Sequence, residues 1–65
     1  MKVYKVIEVL RLLKLDGWVK VAQRGSHRQF KHPTKPGKVT VNGKESDEID
    51  QFTLNSIWKQ AGWKK

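Results

Sequence analysis

Apolar residues recur near the start of the chain at Val3, Val6, Ile7, Leu10 and Leu13, with Val9 and Leu12 widening the stripe. Steps of three and four keep them on one side of a helix, so the spacing predicts an amphipathic helix over residues 3–15. Asp16-Gly17 ends it, because glycine takes the left-handed conformation at a helix terminus without steric cost. After Gly17 the period falls to two. Val19 and Val21 alternate with polar neighbours in "WVKVAQ", Phe30 stands alone in "HRQFKH", and Val39 and Val41 alternate in "KVTVN". Three short strands are expected from that alternation. Arg24-Gly25 is expected to turn the first strand into the second and "PTKPG" the second into the third, with Pro33 keeping His32 extended. Helical spacing returns in "DQFTLNSIWKQAG": Phe52 or Leu54 points inward with Ile57, Trp58 and Ala61, Thr53 is the expected N-cap and Gly62 the stop.

The predicted order is helix, three strands, helix. This is an α+β architecture, α-β-β-β-α, in which a three-stranded antiparallel sheet carries both helices on one face and leaves the other open. No repeat or long linker interrupts it, so residues 1–65 read as a single domain. A chain this short buries only about 60% of the surface it exposes when unfolded, so its core is thin.

A two-residue turn at Arg24-Gly25 would set Ala22 across from His27, Lys20 across from Gln29 and Val19 across from Phe30. Val19, Val21 and Phe30 then share the core face, whereas Lys20, Ala22, His27, Gln29 and Lys31 share the open one. The loop after His32 sets Phe30 against Val39, Gln29 against Thr40, and Lys31 against Lys38. Two lysines directly opposed repel each other unless an anion such as a phosphate bridges them.

Charge says what such a face is for. The chain has 14 Lys and Arg against 6 Asp and Glu, a formal net charge of +8. Four of those acids, Glu45, Asp47, Glu48 and Asp50, lie in "ESDEID"; the other 59 residues carry 14 basic groups against two acidic ones, a net +12. That density is the electrostatic footprint of a nucleic-acid binder. Cysteine is absent, which removes disulfides and thiolate zinc sites and fits a reducing, cytoplasmic location. Lys5, Glu8, Arg11 and Lys14 interrupt the longest apolar run, so no membrane span or signal peptide is expected. His27 and His32 are five residues apart, an odd offset that sends them to opposite faces of a regular strand, and no third ligand completes a site; neither metal nor cofactor is expected. That geometry also argues against two histidines flanking one phosphate.

"LKLDGWVKVAQRGSHRQFKHPTKPGKVTV" followed by "LNSIWKQAG" resembles the HicA toxin family of bacterial toxin–antitoxin modules. The telling pieces are "DGW", the "GSH" with its following "QF" and "HP", "VTV" and "IWKQAG", specific in combination rather than singly. The resemblance implies a double-stranded-RNA-binding-like fold, a toxin that cleaves messenger RNA without a metal through the histidine of "GSH", here His27, and a HicB-like antitoxin that covers it. The candidate RNA-binding residues around His27 are Lys20, Arg24, Ser26, Arg28, Gln29, Lys31 and Lys38, with Arg24, Ser26 and Arg28 nearest the reacting phosphate. The chemistry is modest. The 2′-hydroxyl of RNA lies beside the phosphate it attacks, and histidine can take or give a proton near neutral pH. The chain departs from the family after "VTV", where "NGKESDEIDQF" brings acids that suit a helix N-terminus better than an RNA contact. The alternatives are a non-catalytic double-stranded-RNA-binding-like module and a ribosome-associated basic protein.

Overall fold

The computed structural model describes residues 3–63; positions 1, 2, 64 and 65 of the 1–65 domain assignment lie outside it. In chain order the elements are β1 (Tyr4–Lys5), α1 (Val6–Asp16), β2 (Val19–Arg24), β3 (His27–Lys31), β4 (Lys38–Val41), β5 (Glu48–Ile49) and α2 (Gln51–Ala61). The α-β-β-β-α order is as expected, and the central sheet is antiparallel in the order β2-β3-β4. A second sheet, β1 paired antiparallel with β5, was not foreseen.

The helix starts differ from their patterns, α1 beginning later and α2 earlier than expected. Tyr4 and Lys5 are extended because they pair with Ile49 and Glu48, so α1 begins at Val6 rather than residue 3, and Val3 is exposed. The N–H groups that a helix start leaves without an intrahelical acceptor are met from the acid run. The carbonyls of Asp47 and Glu45 accept from Val6 N and Ile7 N at 2.9 and 3.0 Å. Glu8 reaches back so that its Oε1 accepts from Lys5 N at 3.0 Å. At α2 the N-cap is Asp50, not Thr53: the Asp50 carboxylate accepts from Thr53 N at 3.0 Å and from Thr53 Oγ1 at 2.7 Å. These bonds hold the Asp50 carboxyl below its ordinary pKa. Phe52 is exposed, and Leu54 is the residue that enters the core.

The core consists of Val6, Val9 and Leu13 from α1, Trp18, Phe30, Val39 and Val41 from the sheet side, and Leu54, Ile57 and Ala61 from α2. Phe30, Val39 and Val41 lie on one face of the sheet, so both helices cover that face and the other stays open. The register between β3 and β4 agrees with expectation: Phe30 opposes Val39, Gln29 opposes Thr40, and Lys31 opposes Lys38.

The β2–β3 register differs from expectation in two ways. The turn is Gly25-Ser26, flanked by the pair Arg24 and His27, and Ala22 opposes Gln29. Turn chemistry explains the shift. Gly25 has φ +61° and no described non-glycine residue has positive φ, the arrangement of a type II′ hairpin with glycine first; a turn centred on Arg24-Gly25 in the type I′ form would force Arg24 to positive φ. A bulge between Lys20 and Ala22 then changes the register again, so that Lys20 opposes Phe30 and Val19 opposes Lys31. One extra residue reverses the faces of everything beyond it. Val19 and Val21, expected in the core, are 59% and 56% exposed, and Lys20 leaves the open face for the helix side.

The end of α1 is held by a clasp. Asp16 Oδ2 accepts from Lys35 Nζ at 2.6 Å and from the indole N–H groups of Trp18 and Trp63, each at 2.9 Å. His32 Nδ1 accepts from the N–H groups of Thr34 and Lys35, so Nε2 carries the proton and donates to the Asp16 carbonyl at 2.7 Å. The His32 ring also stands edge-on to Trp18, with centroids 5.2 Å apart. Gly17, at φ +99°, passes so close that a Cβ there would lie 3.0 Å from His32 Nε2. The "DGW" and "HP" motifs thus meet in space as structure.

The Asp16 carboxyl is lowered from 3.8 to about 2, first by the Lys35 ammonium that donates to it and then by the two indoles. A depressed folded-state pKa means that the clasp's contribution is fully present above the unfolded value near 4 and is lost as pH falls toward 2. Acid unfolding of wild type and Asp16→Asn should therefore show a stability gap that is widest above pH 4 and closes below it. A gap that stays constant from pH 5 to pH 2 would refute the assignment.

Candidate RNA-cleavage site

β3 places His27 at its first position, directly after the Gly25-Ser26 turn. His27, Gln29 and Lys31 alternate with Arg28 and Phe30, and since Phe30 is buried in the core, the first three project from the open face. The His27 side chain is exposed and has no hydrogen-bond or ion-pair partner among the described residues. Around it on the same face stand Arg24, paired directly across from it, Ala22, and further along Val19, Lys31, Lys38 and Thr40. Arg24 and Lys31 are exposed and likewise without a side-chain partner. Lys38 Nζ donates to Gln29 Oε1 at 3.5 Å, next to the opposed Lys31.

The sequence-derived set divides. Arg24, Ser26, Gln29, Lys31 and Lys38 lie with His27 on the open face or on the turn that ends it. Lys20 and Arg28 do not. Lys20 sits past the bulge on the helix side, where Nζ donates to the Gln23 side chain. Arg28 shares the face of Phe30, and its guanidinium donates to the carbonyls of Gly43 at 2.9 Å and Ser26 at 3.2 Å. Both line a groove of about 670 Å³ between α1 and β2, with Leu10, Lys14, Trp18 and Phe30. Arg28 therefore ties the β2–β3 turn to the segment after β4, a task that sequence parity could have hinted at because 28 and 30 share a face.

His32 is turned into the clasp, away from His27, as the odd offset predicts. Among the described residues no three His, Cys, Asp or Glu side chains come together as a metal site. No described helix is long and apolar enough to cross a membrane.

The model of a family described as the HicA toxin of bacterial toxin–antitoxin systems matches residues 7–63 of this chain. The chain belongs to the HicA toxin family. The match runs from the second residue of α1 to Trp63, so it takes in the whole central sheet and every residue of the clasp. No curated protein matches the chain. Membership of the HicA family makes this a toxin-family protein whose system includes a cognate antitoxin. The fold gives the conspicuous motifs of this chain different tasks: "DGW" and "HP", joined by Lys35 and Trp63, build the clasp, whereas "GSH" builds the hairpin end on the open face.

Proposed function

We propose that this HicA-family protein is an endoribonuclease that cleaves messenger RNA in the cytoplasm, with His27 as its proton-transfer residue and no requirement for a metal. The observation that carries the proposal is the position of His27: its side chain exposed and without a partner among the described residues, at the end of a hairpin, on the one face of the sheet that the helices leave uncovered. The reaction matches what one imidazole supplies. The RNA 2′-oxygen attacks the adjacent phosphorus as its proton is removed, the bond from phosphorus to the 5′-oxygen breaks, and a proton goes to that oxygen. The products are a 2′,3′-cyclic phosphate and a 5′-hydroxyl. His27 takes the first proton or gives the second, with water serving the other step, which gives an acceleration of about 10² to 10⁴-fold from that group.

The test is incubation of the purified protein with single-stranded RNA in the presence of a chelator, with the new ends identified. Cyclic phosphate ends support the reading; RNA that is bound and left uncut would favour a non-catalytic binding module. The antitoxin in this proposal is HicB-like and covers the open face with carboxylates of its own, which compete with RNA phosphates for the same cations.

Lys31 and Lys38 supply phosphate contacts in this reading. Their direct opposition is unfavourable in the free protein and becomes favourable around a bound phosphate. Replacing either with alanine should weaken RNA binding and reduce the slope of log affinity against log salt by about one ion contact. The melting temperature should hold or rise slightly, because a repulsion has been removed. An unchanged salt slope in both variants would place the basic contact surface elsewhere.

A further inference from the structure

We propose that Arg24 is a catalytic residue of this site, its guanidinium binding the non-bridging oxygens of the phosphate that His27 serves. The inference rests on the RNA-cleaving reading above and adds the group that offsets charge at the reacting phosphorus. Three observations single out Arg24 among the described basic residues. It is the registered cross-strand partner of His27, which sets their Cβ atoms about 5 Å apart on the same face. β4 ends at Val41, opposite Arg28, so the paired strand neighbour of His27 is on the β2 side alone. Finally, the other nearby cations are engaged or distant. Arg28 is turned to the helix side and bonded to two carbonyls, Lys20 lies beyond the bulge, and Lys31 is four residues, about 13 Å, along the strand.

The chemistry needs such a group. When the 2′-oxygen–phosphorus bond forms before the bond to the 5′-oxygen has fully broken, negative charge builds up on the non-bridging oxygens, and a single imidazole that moves a proton cannot offset it. A guanidinium stays protonated throughout, presents a planar fork matched to two phosphate oxygens, and neither gains nor loses a proton in the step. Arg24 is held for this task by backbone alone: the Gly25-Ser26 turn fixes its pairing with His27, while its side chain remains free to close on the substrate. An arginine and a histidine on the two flanks of one hairpin turn would thus grip one phosphate between them.

The experiment compares wild type, Arg24→Ala, Arg24→Lys and His27→Ala under single-turnover conditions with a short single-stranded RNA. Affinity is measured separately on the same RNA carrying a 2′-deoxy sugar at the cut site. Arg24→Ala should lower the rate at saturating RNA by about 10² to 10³-fold, the loss typical of removing one charge-stabilising donor. Affinity should change only a few-fold, and the pH–rate profile should keep its shape. Arg24→Lys should recover only a minor part of the rate, because a point charge does not reproduce the fork. Arg24 is exposed and has no side-chain partner among the described residues, so the variants should fold, which circular dichroism checks. An Arg24→Ala rate within about tenfold of wild type, or a loss that saturating RNA restores, overturns the role of Arg24 while an inactive His27→Ala leaves the cleavage reading standing. Full activity in His27→Ala overturns both.

Discussion

His27→Ala is expected to abolish RNA cleavage while leaving the fold and RNA affinity close to wild type. The imidazole is exposed and without a partner, so truncating it removes nothing from the core in Phe30, Val39 and Val41. Removal of the one positioned proton-transfer group should cost about 10² to 10⁴ in rate, which for a slow nuclease ends detectable turnover. The melting temperature should stay within a few degrees of wild type. His32→Ala is the contrast. It removes the acceptor of two backbone N–H groups and the donor to the Asp16 carbonyl, so it should lower stability and leave the rate per folded molecule within a few-fold. Cleavage assays normalised to folded protein separate the two effects. Wild-type cleavage by His27→Ala would end the single-histidine mechanism, and equal loss of intrinsic rate in both variants would point to a paired mechanism instead.

Trp18→Ala is expected to unfold the protein. Trp18 is 3% exposed, donates to Asp16 and packs edge-on against His32. Truncating a buried aromatic of this size costs about 3 to 5 kcal/mol. A chain of this length has roughly 3 to 10 kcal/mol of stability in total. The core is too thin to absorb the loss, since β2 itself contributes no buried residue and Trp18 is one of only ten buried hydrophobic residues among those described. Trp18→Phe keeps most of the ring volume and loses the indole N–H, so it should fold with a clearly lower midpoint. Urea titration followed by circular dichroism checks both. A cooperative Trp18→Ala transition near the wild-type midpoint would show that the clasp is not what holds the end of α1 to the sheet.

Much of this architecture was legible from local pattern. The helical stripe of α1, the alternation of Val39 and Val41, and the stops at Gly17 and Gly62 each depend on residues a few positions apart. Short-range sterics and a fixed period settle such features wherever the segment finally packs. The β3–β4 register followed from the same parity, including the opposed Lys31 and Lys38, and it placed His27, Gln29 and Lys31 on the open face. The motif that carries the family resemblance, with His27 at its centre, was likewise visible as sequence.

Other features depend on groups that meet only in the folded chain. Nothing local marks the bulge at Val21. It relieves a strand that must leave Trp18 in the core and still reach the Gly25-Ser26 turn, and it decides that Val19 faces solvent and Lys20 does not. Arg24 became the partner of His27 because the turn centres one residue later than Arg24-Gly25, on a glycine that alone tolerates positive φ. The acid run looked like a helix-dipole feature; tertiary structure made it a strand beside β1, a carbonyl cap for α1 and a side-chain cap for α2. Asp16 gathers donors from residues 18, 35 and 63, a convergence that no periodicity encodes. The sequence by itself determined the two helices, the three strands of the central sheet, the basic charge and the candidate histidine, because these follow from spacing and composition. Which cation stands beside that histidine was decided by where the Gly25-Ser26 turn centres, and which motif residues hold the fold instead was decided by hydrogen bonds between segments far apart in the chain.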